Sequence, residues 1–224
     1  SPATTELELC VLDWIRQLLG LPEKRFGMLT DSASTSTLVA LAAAREAVPG
    51  VRAREEGLAA PGAPRLRLYT STEAHSSVEK AGIVLGLGRA GVRRIPPDGE
   101  FRFDVAALSA ALREDRAAGW LPFAVSATVG TTSTTSVDPI PALADLCARE
   151  GLWLHVDAAY AGAYAMLPEK RWCLEGCDRA DSLVFNPHKN LYTPIDASGL
   201  WLRRPEVLRR ALQLVPDYLQ TTET

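Results

Sequence analysis

The sequence predicts an α/β domain whose mainly parallel sheet carries helices on both faces. Short apolar runs alternate with helical-period stretches of ten or more residues through most of the chain. One of those runs, Leu152-Trp-Leu-His-Val156, has the near-continuous apolar character of a strand covered on both sides. The 224 residues, 47% hydrophobic and 23% charged, can fill one large core.

Taken in order, Leu7, Val11, Trp14, Ile15 and Leu18 fall at helical spacing in Glu6–Leu19, and Gly20 with Pro22 stops that helix. Ser34–Ala47 is alanine-rich, opens with a Ser/Thr cluster suited to capping, and ends before Pro49. Three prolines and three glycines make Pro49–Pro64 a surface loop. Then follow strand Arg65–Thr70, helix Ser76–Leu85, strand Val92–Ile95, helix Asp104–Ala117 and strand Pro122–Thr128. Helix Pro139–Glu150, strands Leu152–Val156, Ser182–Phe185 and Gly199–Arg203, and helix Pro205–Leu214 complete the reading. In such sheets ligands bind beyond the carboxyl ends of the strands, so the residue after each strand is where chemistry belongs.

Composition narrows the function. A net charge of -3 without a Lys/Arg stripe gives no footprint for nucleic acid, and no apolar run approaches the ~18–20 residues of a membrane span. A small-molecule site is expected. Cys10, Cys147, Cys173 and Cys177 form no dense framework and no signal-like stretch opens the chain, which points to a reducing, cytoplasmic setting. Cys173 and Cys177 with His155 or His188 lack the second ligand pair of a zinc site. Gly86-Leu-Gly88-Arg-Ala-Gly91 matches the dinucleotide fingerprint by letters, but it closes a helix and enters a strand, the reverse of what that motif requires. The chain starts at Ser1 without a methionine and becomes helical within five residues, so polypeptide upstream is expected.

Two strand ends carry the sharpest chemistry. Asp157 follows the run at 152–156 and is itself followed by Ala158, Ala159, Tyr160, Ala161, Gly162 and Ala163. An aspartate there usually caps a turn; among small side chains it can also hold a ring nitrogen protonated. The next strand ends in Asn186-Pro-His188-Lys189. A lysine there is ordinarily a solvated charge; at the sheet mouth it can be a desolvated amine with a lowered pKa, ready to form a Schiff base. Acid for a pyridinium nitrogen and lysine for an aldehyde are the pair that pyridoxal phosphate demands. Ser32-Ala33-Ser34 opens a helix, where free amides and the dipole favour a phosphate as well as a simple cap. Gly130-Thr131-Thr132 offers hydroxyls at another strand end, and His75, after Leu66–Thr70, can hydrogen-bond structurally or stack on a ring.

His155-Val-Asp157-Ala-Ala-Tyr160-Ala-Gly162, Asn186-Pro-His188-Lys189, His75-Ser-Ser-Val-Glu79-Lys-Ala-Gly82 and Ser1-Pro-Ala-Thr-Thr-Glu6-Leu-Glu resemble, in that family's order, the group II pyridoxal-phosphate decarboxylases, closest to those acting on aromatic L-amino acids. The resemblance runs over essentially the whole chain. It implies the large cofactor domain of a fold-type I enzyme over residues 1–224, with an N-terminal segment and most of a C-terminal domain lying elsewhere. It implies that Lys189 carries the cofactor, Asp157 pairs with the pyridine nitrogen, and His75 and Ala159 cover the two ring faces. Thr132 matches a position near the cofactor hydroxyl; Ser32, Ala33, Ser34, Asn186 and His188 match the phosphate surroundings; Tyr218 matches a loop tyrosine that protonates the substrate carbon. The implied activity is decarboxylation of an L-amino acid, aromatic by likeness, in a homodimer. An oxidative aldehyde synthase, a glutamate or histidine decarboxylase and a non-catalytic remnant are the alternatives. Retention of His75 and Tyr218 favours plain decarboxylation. Two departures stand out: Asp31 where relatives have glycine, and Asn190 where tryptophan commonly follows the lysine.

Overall fold

The structure, a computed structural model, describes residues 1–214. Helix α1 (Pro2–Leu18) leads through strand β1 (Phe26–Thr30) into helix α2 (Ala33–Glu46) and a one-turn helix α3 (Ala53–Glu56). The chain then alternates as β2 (Arg65–Ser71), α4 (Ser77–Val84), β3 (Val92–Ile95), α5 (Val105–Ala117), β4 (Trp120–Thr128), α6 (Ile140–Glu150) and β5 (Trp153–Asp157). Tight 3-10 turns occupy much of 161–179 before β6 (Ser182–Phe185), the one-turn α7 (Pro187–Asn190), β7 (Ser198–Leu202) and α8 (Pro205–Leu212). Tyr218 lies outside the described residues.

The seven strands form one sheet in the order β1-β7-β6-β5-β4-β2-β3. Pairs from β6 through β3 are parallel, whereas β7 is antiparallel to both β6 and β1, so β7 alone is reversed. The reversal follows from the connection: only a one-turn helix separates β6 from β7, too little to carry the chain back across a face. The carboxyl ends of β1, β2, β4, β5 and β6 therefore gather at one edge, together with the start of β7, where Thr30 pairs with Ser198.

The expected mainly parallel sheet with two covered faces is what forms; the departures from the sequence reading are local. β1 has no strand signal strong enough to read, because Phe-Gly-Met-Leu-Thr is short and half-buried at a sheet edge. Its glycine is closely packed: a Cβ on Gly27 would meet the Trp201 indole nitrogen at 3.0 Å. The 49–64 segment, expected to be a loop throughout, contains α3. α1 begins at Pro2 rather than Glu6, with the proline at the one helical position that wants no amide hydrogen. β4 begins at Trp120, ahead of the expected Pro122, and the β2–β4 register shifts between Arg67 and Leu68 where Pro122 cannot donate.

α1, α5, α6 and the 3-10 turns pack one sheet face around Tyr69, Val125, Leu154, Val156, Leu183 and Phe185. α2, α4 and α8 cover the other around Leu68, Ala124, Trp153, Leu200 and Leu202. Gly86, Gly88 and Gly91 sit between α4 and β3, helix to strand, as their sequence context requires. No helix among the described residues is long and apolar enough to cross a membrane.

Candidate functional site

Strand alternation decides which way Asp157 faces. Leu154 and Val156 enter the α6-side core and Trp153 the α2-side core, so His155 and Asp157 share the α2 face. His155 confirms this, since its Nε2 lies 3.4 Å from Thr37 Oγ1 on α2. Its Nδ1 meets Ser182 Oγ on β6 at 2.9 Å, and that oxygen also accepts from Trp153 Nε1 at 2.9 Å. Burial drives the imidazole down to about 4, against the opposing pull of Asp157, so His155 is a neutral tie between α2, β5 and β6.

The first turns of α2 are fixed over the carboxyl edge by a second tie: Ser36 Oγ lies 2.7 Å from Thr30 Oγ1 and 3.0 Å from Ser198 Oγ. Ser32 caps the helix by accepting from the Thr35 amide at 3.3 Å. The amides of Ala33 and Ser34 precede the first intrahelical bond and can serve an outside acceptor. Asp31, exposed beside them, is held below the usual carboxylate range chiefly by a side-chain hydrogen bond with Thr35. It thus brings a negative charge to the same helix terminus.

Asp157 is buried at the tip of β5, level with Thr128 on β4 and Val184 on β6. Its Oδ1 accepts from the Ala159 amide at 3.0 Å, so it does cap the turn; Oδ2 is left for another donor. Lys189 follows the neighbouring strand on α7. It is exposed, as a strand-end lysine ordinarily is, on a single helical turn beyond the sheet tip.

The Asn186–His188 pair reveals its own protonation. The Ala197 amide donates to His188 Nδ1 at 3.1 Å, which places the ring proton on Nε2. Asn186 meets that Nε2 at 3.2 Å and must present its oxygen there, since two donors repel. The other end of the buried Asn186 amide, its NH2, is then left without a partner and with hydrogens to give.

His75 is exposed after β2 and accepts the Ser77 amide on Nδ1 at 3.2 Å, leaving an Nε2–H to point outward. β4 lies between its strand and β5. Thr132 is exposed, while Thr131 is buried and closes the loop through Thr134 at 2.7 Å and the Ser136 amide at 3.0 Å. Ala159 is buried at 2% exposure. Asp138, which accepts from the Thr128 amide at 2.7 Å and the Phe103 amide at 2.8 Å, is a supporting residue that the sequence reading left out, and His155 entered it as a strand residue and a rejected metal ligand. A cavity of about 930 Å³ opens at the opposite edge beside Trp153, Asp181 and Arg204 and brings together no amine–carboxylate pair of this kind.

The pyridoxal-dependent decarboxylase conserved domain matches residues 1–224. The chain belongs to this pyridoxal-dependent decarboxylase family. It is 44% identical to the aromatic-L-amino-acid decarboxylase of Mus musculus over 98% of this chain and 47% of that protein. It is 42% identical to histidine decarboxylase of Mus musculus, over 98% of this chain and 34% of that protein. The solved Oryza sativa TDC with PLP and tryptamine superposes with a TM-score of 0.91 at 40% identity, covering 99% of this chain and 46% of the other. The chain therefore spans about half the length of the aromatic-L-amino-acid decarboxylases it matches.

The residues of this pyridoxal-dependent decarboxylase domain fit the family's cofactor. An aldehyde needs an amine, a pyridinium needs a buried carboxylate with a free oxygen, and a phosphate needs neutral donors. Lys189 has an amine, Asp157 a buried carboxylate with a free oxygen, and Asn186 and the first α2 amides neutral donors that such a group could take. Asp31 opposes a phosphate there.

Proposed function

We propose that this chain holds pyridoxal phosphate for the decarboxylation of an L-amino acid, with an aromatic amino acid as substrate. The observation that carries the reading is the gathering of Asp157, Lys189 and the α2 terminus, from separate strands, at one sheet edge. When bound, the cofactor supplies an electron sink for the bond that loses carbon dioxide. Asp157 keeps the proton on the ring nitrogen through its free oxygen, and the buried end of β5 holds that carboxylate in place. Lys189 would hold the cofactor through its amine. Ser32, Ala33, Ser34, Asn186 and His188 hold the phosphate, with the α2 dipole adding to their hydrogen bonds. His75 and Ala159 would cover the two ring faces, and Thr132 would serve the ring hydroxyl. Tyr218 returns a proton to the substrate carbon.

We place residues 1–224 as the large domain of a longer cytoplasmic homodimer. The four unpaired cysteines support a reducing compartment, and exposed Leu7, Trp14 and Leu18 on α1 support an apolar face covered by further protein. Likeness to histidine decarboxylase supports histidine as the second substrate to test.

The test is a visible-absorbance titration with pyridoxal phosphate on the wild type and Lys189→Ala, followed by carbon dioxide release from a panel of amino acids. A saturable band that Lys189→Ala abolishes, with release greatest from aromatic substrates, is expected. A band that survives in Lys189→Ala removes the lysine from its role, and a wild type that stays colourless makes the chain a non-catalytic remnant.

A further inference from the structure

α7 is one turn long, and a turn of four residues has little stability of its own. Its internal support is the Lys189 amide bonded to Asn186 O at 3.2 Å and the Leu191 amide bonded to Pro187 O at 2.9 Å. In the chain just beyond it, Tyr192 and Ile195 are fully or largely exposed and add no packing from the described residues. What restrains it comes from two side chains. His188 reaches forward to the Ala197 amide at the approach to β7. Asn190 reaches across thirty positions, its Nδ2 donating to Tyr160 O at 2.7 Å.

Tyr160 follows Asp157 by three residues, in a segment anchored at several points. The Ala158 amide bonds to Val184 O at 2.9 Å, the Ala161 amide to Val129 O at 3.3 Å, and the Gly162 amide to Ala158 O at 3.0 Å. The contact of Asn190 therefore closes a ring of hydrogen bonds: β6 into α7, across to Tyr160, back along the turn to Asp157, and across to β6. Lys189 and Asp157 are both members of that ring. Opened at Asn190, it leaves the carboxyl end of α7 tethered only through Pro187 and His188.

We propose that Asn190 is a positioning residue, tying the turn that carries Lys189 to the segment that leaves Asp157 and so fixing the amine relative to the acid. This rests on the roles given above to those two groups. The position requires a donor at the reach of an asparagine amide. Leucine matches the volume and supplies none, aspartate would set a carboxylate against the Tyr160 carbonyl, and histidine offers Nδ1–H near the place of Nδ2.

The experiment measures pyridoxal phosphate affinity from the visible band of the lysine-bound cofactor and, in Lys189→Ala, from quenching of tryptophan fluorescence. Asn190→Leu and Asn190→Ala should weaken lysine-bound affinity about five-fold, the worth of one neutral hydrogen bond. Asn190→His should recover most of it. In the Lys189→Ala background the same Asn190 substitutions should change affinity less than two-fold or so, because a general loosening of the pocket is not what they cause. Equal weakening in both backgrounds, or none in the lysine-bearing protein, overturns the proposal. A wild type without a Lys189-dependent band instead overturns the cofactor reading beneath it. Should Asn190→Leu fail to fold, Asn190→Ala with its histidine rescue gives the same comparison.

Discussion

Asp138 and His155 are buried groups whose titrations push stability in opposite directions, and Asp138→Asn separates them. Burial raises the Asp138 carboxyl from 3.8 to about 6, outweighing the Thr128 and Phe103 amides it accepts. Between those values the folded protein holds a proton that the unfolded chain has released, so this group's contribution is present at acid pH and is lost as pH rises through about 6. His155 does the reverse. Burial lowers it from 6.5 to about 4, so the unfolded chain takes up the proton first, and stability is lost as pH falls from 6.5 towards 4. Each displacement corresponds to about 3 kcal/mol at ~1.4 kcal/mol per pH unit, and in the wild type the two nearly cancel between about pH 4 and 6. In Asp138→Asn the His155 slope stands alone. Its stability should fall, relative to wild type, by about 2–3 kcal/mol between pH 6 and 4. Urea denaturation of the cofactor-free protein at several pH values in that window, with the slope in urea unchanged between proteins, reads this directly. His155→Gln should tilt the curve the other way. Wild-type and Asp138→Asn curves that stay parallel across the window would refute the reasoning, because they would mean the carboxyl titrates alike folded and unfolded.

Gly130→Ala forces a residue with φ of 86° to carry a Cβ only 2.5 Å from that of Ala161, in the loop beneath Thr131. The left-handed backbone and the clash together should cost about 2–4 kcal/mol, seen as a lower thermal midpoint. Asp31→Gly removes a carboxylate from the α2 terminus and should tighten pyridoxal phosphate binding several-fold at low salt. The gain should shrink as salt is added, because Asp31 is exposed, and a salt-independent gain would point to a backbone effect instead.

Much of the fold was legible because its signals are local. Alternating apolar runs and helical stretches fix an α/β sheet, and the residues at 152–157 and 182–189 could be read as strand tips bearing an acid and an amine. The identity of the two groups is covalent information and needs no fold. β1 was not legible, since a five-residue half-buried strand with a central glycine becomes a strand only once β7 offers it a partner. The reversal of β7 was likewise decided by the length of its connection.

What lay wholly beyond the sequence was the way distant residues support one another. That His155 is a neutral tie to Thr37 and Ser182, that Asp138 holds the end of β4, that Lys189 stands exposed, and that Asn190 reaches Tyr160 all depend on segments far apart in the chain. Hydrogen bonds of this kind act over about 3 Å, and burial depends on everything packed around a group. Sequence thus determined which chemical groups stand at the strand ends, and tertiary packing alone decided their neighbours, solvation and protonation.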